Sequence, residues 1–337
     1  MEKITIVSPK IKGYSGTASY VENVLKGLNL KKIDYDVNFL KKREISLFGK
    51  PFFGIFYQII AAKFLNVSTP VVHALSPEVV VKNTNVVTIH DIIPFTNPEI
   101  YIKNLYDKIA YNLAFRKALE VPNMLVSTKY GKAQLSTHLD IDPQKIHVVN
   151  HCIDHSKFYP DPVSPYEDNT INIVMVSDFN PRKRIDLIVK AIGGQENLSF
   201  YHIGPTQKWE SVFSNIVNIS KKFNNVHLLG PKDSMATRRY VSNSDLFIYL
   251  SEEEGFGYPI LEAMACGTNV LVSKIPVFEE LFSGIASFTD HESFSIDSIM
   301  LALKNRKPKT DIINYSKKFS IEKMATELVE LYNEILN

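Results

Sequence analysis

Cysteine is scarce in this chain of 337 residues: only Cys152 and Cys266 occur, far apart and in no C-x-x-C or metal-type spacing. A disulfide framework and a cysteine-built metal module are therefore both excluded as organising devices. No charged and apolar leader precedes the first apolar run at Ile4, so no secretory signal is expected and the cytoplasm is the expected location. G-x-G-x-x-G spacing is missing, and no dinucleotide-type acid follows the early glycine loop, which counts against a dehydrogenase. Short repeats, low-complexity tracts and recognised nucleic-acid modules are absent too. With a net charge of only +2, nucleic acid is not an expected partner.

What is present is ordinary for a soluble globular protein: 45% hydrophobic and 22% charged residues. The length suits two domains of about 150 residues each, with enough chain to bury a core in both. The small net charge hides an asymmetry. Residues 1–160 hold 20 Lys and Arg against 13 Asp and Glu, whereas residues 161–337 hold 18 against 23. A basic first half can face anionic lipid or a phosphorylated substrate, or can simply be a solvated surface.

Short β-branched runs alternate with segments of helical period from end to end, the pattern of βαβ units with parallel sheets. In the first half, strands are expected at Ile4–Ser8, Asp36–Leu40, Val71–Ala74, Val86–His90, Met124–Ser127 and Ile146–Asn150, with a helix at Ser19–Leu28. The proline-rich run 159–169 (YPDPVSPYEDN) reads as the interdomain linker. A second strand series follows at 171–177, 198–204, 225–230, 245–251 and 269–273, and residues 320–336 have helical period. The expected division is 1–162, 163–315 and a terminal helix in 316–337.

The densest chemistry lies in 251–267, SEEEGFGYPILEAMACG. A strand runs into a Gly255–Phe256–Gly257 turn, where glycine lets the backbone approach a ligand or take positive φ. Pro259 suits the first turn of a helix and Gly267 its end. A helix N-terminus facing such a turn holds phosphate. The carboxylates of Glu254 and Glu262 beside it can accept from hydroxyls, so the implied ligand carries both phosphate and sugar.

This stretch resembles the donor-binding signature of family 4 glycosyltransferases, retaining enzymes of the GT-B fold, with Glu254 and Glu262 at the two Glu positions of their E-x7-E pattern. Residues 86–99 (VVTIHDIIPFTNPE) are similar to the family's V-x-T-x-HD-x-x-P segment. Residues 146–160 resemble its strand and exit from the first domain, with Cys152 where glycine is usual. Asn269 likewise stands where proline is usual. The resemblance implies two Rossmann-like α/β domains facing across a cleft, with a C-terminal helix crossing back to the first. It also implies a nucleotide-diphosphate sugar donor, a glycan or lipid-linked acceptor, and no cofactor or required metal.

Residue by residue, the resemblance implies that Glu254 holds the donor sugar, Glu262 the ribose, and the backbone of Phe256, Gly257 and Tyr258 the diphosphate. His90 lies near the transferred sugar, and Asp91 orients its loop. Lys183 in 177–192 (SDFNPRKRIDLIVKAI) matches the family's lysine for the departing diphosphate. The family's companion arginine falls on Asp178, so its role is lost or passes to Arg182 or Arg184. Gly16 and Thr17, between the first strand and helix, suit backbone contact with the ligand, although a lone glycine loop reads equally as a turn.

Two tempting metal readings fail on geometry. His147, His151 and His155 fall four apart, but on strand and loop rather than on one helix face. Asp140–Ile141–Asp142 precedes Pro143 in a turn that explains its acids. Residues 41–65 mix lysines with aromatics and are too interrupted to span a bilayer. They read as a helix packed on the sheet or as a peripheral contact with the inner face of a membrane. Two rival functions remain: a glycoside hydrolase using Glu254 and Glu262, disfavoured by the helix N-terminus between them, and a non-catalytic nucleotide-sugar-binding subunit, to which Asp178 lends support.

Overall fold

The computed structural model describes residues 2–10, 15–41, 45–47, 50–52, 54–102, 105–166, 170–206 and 209–337. The chain forms two compact units, Met1–Cys152 with Phe319–Asn337, and Ile153–Lys318.

In the first unit the strands are β1 (Ile4–Lys10), β2 (Tyr35–Lys41), β3 (Ile45–Leu47), β4 (Lys50–Phe52), β5 (Val71–Ala74), β6 (Val86–Thr88), β7 (Asn123–Val126) and β8 (Ile146–Val148). Six of them make one parallel sheet in the order β2-β1-β5-β6-β7-β8. Because helices cover both faces of such a sheet, its central strands are continuous apolar runs: Ile4, Ile6 and Val7 of β1 are fully buried. β3 and β4 pair as a short antiparallel hairpin that the sequence reading of 41–65 did not anticipate. It leads into a helix at Gly54–Phe64. Lys42, Arg43, Phe48 and Phe53 of that reading lie outside the described residues. No helix among the described residues is long and apolar enough to cross a membrane.

The helix Gly16–Leu30 begins where the Ser15 hydroxyl accepts from Ala18 N–H at 3.1 Å. The C-terminal helix Ile321–Leu336, capped in the same way by Ser320, packs along it. Close approach is possible because Gly27 has no side chain: a Cβ there would stand 2.9 Å from Cβ of Ala325. Tyr332 of the C-terminal helix and Nδ1 of His73 on β5 are hydrogen-bonded at 2.7 Å, with both side chains fully buried. The last helix is thus part of the first unit.

The second unit has six parallel strands, β9 (Ile171–Val176), β10 (Leu198–Ile203), β11 (Val226–Leu228), β12 (Leu246–Tyr249), β13 (Val270–Ser273) and β14 (Ser287–Thr289). Their order is β11-β10-β9-β12-β13-β14, the doubly wound Rossmann arrangement, whose switch point lies between β9 and β12. β14 is too short and too polar to announce itself in the sequence.

The proline-rich run lies against the second unit from its start. Arg238 stacks over Tyr159 at 4.1 Å and donates to Lys157 O and to Asp161 Oδ2 at 3.0 Å. Asn243 donates to Asp161 O and Val163 O, and the Tyr166 hydroxyl to Tyr240 O. The units therefore divide at Cys152, ahead of the prolines, because side chains of the helix Ser234–Ser242 and Asn243 after it hold the run down.

Candidate functional site

At the switch point of the second unit, the loops after β9 and β12 are tied together. Glu252 N–H donates to Arg182 O at 2.9 Å. The β9 loop makes a tight turn over Pro181–Lys183, started by Asn180, whose side chain accepts from Arg182 N–H at 3.2 Å. Arg184 ends the turn in the left-handed region at φ 46°. That reversal separates three consecutive cations. Lys183 turns inward and is buried, and it donates to the Tyr249 hydroxyl at 2.6 Å and to Glu254 Oε1. Arg182 meets the same Glu254 oxygen at 2.6 Å and donates to Ser251 Oγ at 3.0 Å and to Glu253 O. Arg184 points elsewhere, to Glu252 at 2.7 Å and Asp186 at 3.6 Å, in a more exposed setting.

The electrostatics follow from this geometry. Burial alone would raise the Glu254 carboxyl, but Arg182 and Lys183 outweigh it and hold the group down to about 2. Glu254 is therefore a fixed anion and a poor proton donor, unsuited to be the general acid of the hydrolase reading. Burial pulls the Lys183 ammonium down to about 8, with Glu254 opposing and Arg182 adding to the shift. Tyr249, buried beside an anion, is raised well above the usual phenol range.

Gly257 takes φ 118° and starts the helix Tyr258–Ala265, with Pro259 in the first turn. A Cβ on Gly257 would lie 3.0 Å from the Phe278 ring, so this glycine is required by conformation and by space. Phe256 and Tyr258 are buried, with their rings edge to face at 5.4 Å. Glu262 sits further along the helix, half-buried, and burial pushes its carboxyl up to about 7, with Lys157 opposing. It shares none of the pairings of Glu254.

The first unit holds the remaining sequence-expected residues. Exposed Gly16 and half-buried Thr17 are the first residues of their helix, where N–H groups lack helical partners. Tyr20, one turn on, packs edge to face on His90 with ring centroids 5.0 Å apart. His90 lies just beyond β6, not within it, and donates through Nε2 to Leu75 O at 3.0 Å. Burial lowers its pKa, so the ring is neutral. With Nε2 protonated, Nδ1 accepts, and its partner is Nε2 of His151 at 3.3 Å. Asp91 accepts from Ile93 N–H at 3.1 Å and shapes the loop.

The other histidines diverge: His147 meets Asn123 Oδ1 at 3.0 Å, and His155 meets Ser316 Oγ at 3.2 Å. Among the described residues no three or more His, Cys, Asp or Glu side chains are grouped to hold a metal. Sequence reasoning missed Tyr249 and Ser251 as partners of the cations, and His151 as the partner of His90. Two polar side chains ending an apolar strand, LFIYLS, were the available signal for the first pair. Asp178 accepts from Trp209 Nε1 at 3.1 Å.

Residues 161–319 match the model of the family Glycosyl transferases group 1. O-antigen chain mannosyltransferase RfbU of Salmonella typhimurium is 25% identical over 244 residues, 71% of this chain; the match covers 66% of that relative's own length. By structure, the chain is similar to sucrose-phosphate synthase of Thermosynechococcus elongatus (TM-score 0.81, 15% identity, 100% of this chain and 99% of that one). It is also similar to HepE of Anabaena in complex with UDP and glucose (TM-score 0.74, 16% identity, 99% and 100%). The two parallel six-stranded sheets thus have the GT-B architecture. The family match falls on the second unit, and the matches cover 66% and 45% of the first two curated relatives' own lengths.

Proposed function

We propose that this protein is a retaining, metal-independent glycosyltransferase that moves a hexose from a nucleotide-diphosphate sugar to a glycan or lipid-linked acceptor. The observation that carries the reading is the convergence of Arg182 and Lys183 on one oxygen of Glu254, at the switch point where doubly wound sheets bind nucleotides. HepE, with UDP and glucose bound, supports a uridine donor, and the O-antigen relative supports a surface-glycan acceptor.

In this reading Arg182 and Lys183 stabilise the charge that develops on the departing diphosphate, aided by the helix N-terminus behind Phe256, Gly257 and Tyr258. They are held in place before the donor arrives, so little reorganisation accompanies the reaction. Glu254, ionised and aligned, accepts from hydroxyls of the donor sugar, and Glu262 accepts from the ribose. Gly16 and Thr17 offer backbone N–H groups to the ligand, and His90 positions the transferred sugar. Lys183, although lowered to about 8, is tied to Tyr249 and Glu254, so in this reading the leaving phosphate takes the acceptor proton. Buried Lys183 and partly buried Arg182 supply the positive charge a metal would otherwise bring.

Incubating the protein with UDP-, GDP- and ADP-sugars and following thermal stability tests the reading. A donor at 100 times its Kd stabilises by about 2.7 kcal/mol. Product analysis with a labelled donor then shows the anomer formed. Asp178, an acid where relatives carry arginine, favours a second reading, a non-catalytic donor-binding subunit. Donor binding without transfer to any glycan acceptor would select it.

A further inference from the structure

The first unit carries an outward apolar face that its own fold leaves in water. In the helix Leu105–Leu119, Ala110, Ala114, Phe115 and Ala118 are the buried side. At 3.6 residues per turn, Leu105, Ile109 and Leu113 fall on the opposite side, and Leu105 is 68% exposed. The helix Gly54–Phe64 packs beside it and adds Ile60 and Phe64, the latter 83% exposed. Single exposed apolar residues are commonplace, whereas a stripe repeating every turn marks a contact surface.

The charges around the stripe decide what that contact is. Lys63, Lys108 and Arg116 are exposed, and Lys117 lies close enough to Lys63 for the two ammonium groups to repel. Against these four cations the two helices hold a single acid, Asp107, which is only half-exposed; Glu120 follows the end of the second helix. A second copy of the chain docked face to face would set like cations against each other. A nucleic acid would satisfy the cations and leave the apolar stripe in water.

We propose that this face docks on an anionic lipid surface. The apolar side chains enter the boundary between headgroups and acyl chains, and the four cations meet lipid phosphates. The sequence reading offered 41–65 either for such a contact or as a helix packed on the sheet; the face proposed here joins the helix Gly54–Phe64 to the helix Leu105–Leu119, which no sequence pattern singled out. Docking requires neither donor nor turnover, so it stands or falls apart from the transferase reading.

The test is co-sedimentation of the full chain with vesicles of phosphatidylcholine alone and of phosphatidylcholine with phosphatidylglycerol. The expected result is at least tenfold tighter binding to the anionic vesicles, declining as salt screens the cations, by about fivefold per lipid-bound cation at most. An Ile109→Glu, Leu113→Glu double variant is expected to lose binding about tenfold, as is Lys108→Glu with Arg116→Glu, each with an unchanged donor-induced thermal shift. Equal binding by either folded double variant, or salt-insensitive binding to neutral vesicles, overturns the proposal. So does a dimer in sedimentation velocity that the apolar double variant disperses, which would give the face to a second copy.

Discussion

One guanidinium nitrogen of Arg182 stands 2.6 Å from Oε1 of Glu254, an oxygen that Lys183 also reaches from the same short turn. Two cations on one carboxylate oxygen leave the cluster with surplus positive charge. In the proposed function, a donor diphosphate would meet that surplus.

Arg182→Ala is therefore expected to lower kcat/KM by about a hundredfold, the scale of losing one pre-aligned charge donor. Arg184→Ala should change it less than about threefold, because Arg184 pairs with Glu252 and Asp186 in a partly exposed setting. Steady-state kinetics on both variants decide which arginine carries the role that Asp178 cannot fill. A larger loss in Arg184→Ala would reverse the assignment.

Donor affinity should fall as pH rises through about 8, where Lys183 of the free protein loses its charge. The limit is about tenfold per pH unit, and Lys183→Arg, which stays charged, should flatten the profile. The stability effects have definite signs. The lowered Lys183 pKa burdens the fold fully below pH 8, and the burden fades between there and 10.5. The ion pairs of Glu254 contribute fully above pH 4.5 and fade as pH falls towards 2. Donor titrations by calorimetry and denaturant melts across pH check both.

Glu262→Gln should trade function for stability. Its carboxyl is raised from 4.5 to about 7, so folding is penalised increasingly as pH rises through that range. At pH 8 the variant is expected to be more stable by about 1–3 kcal/mol, with the gain vanishing below pH 4.5. Donor binding should weaken about tenfold or more because an acceptor for the ribose is lost. Paired melts at pH 4.5 and 8 read the first effect, and donor titration the second.

Leu75 O sets the tautomer of His90 and His151 supports it. In wild type, the Nε2–H of His90 is held by Leu75 O and its Nδ1 accepts from His151. His151→Leu should expose Nδ1 to other donors and raise the His90 pKa, whereas His151→Asn, which keeps a donor, should preserve the tautomer. Nitrogen-15 chemical shifts of His90 distinguish the two states without reference to activity. Identical shifts in wild type and His151→Leu would show that the pairing is inconsequential.

Much of the second unit was legible because its signals are local. The Gly255–Phe256–Gly257 turn, Pro259 and the helix after it follow from φ preferences and capping within one short run. The alternation of strand and helix likewise announced two parallel sheets. The hairpin β3–β4 and the edge strand β14 were not legible, since three-residue strands carry too little periodicity to separate them from loops. The proline-rich run looked like a linker in composition, but residues distant in sequence, Arg238 and Asn243 among them, hold it onto the second unit.

The sequence by itself determined that Glu254 borders the Gly255–Phe256–Gly257 turn and that Glu262 lies on the helix after it, and from these and Lys183 it raised the expectation of donor binding. It could not decide which of three consecutive cations turns inward, because that choice rests on the left-handed turn at Arg184 and on Tyr249, Ser251 and Glu254 across a neighbouring strand. Nor could it show that Leu105, Ile109 and Leu113 face outward. The apolar content of that helix is the same on either side, and burial by the sheet alone assigns one side to the core.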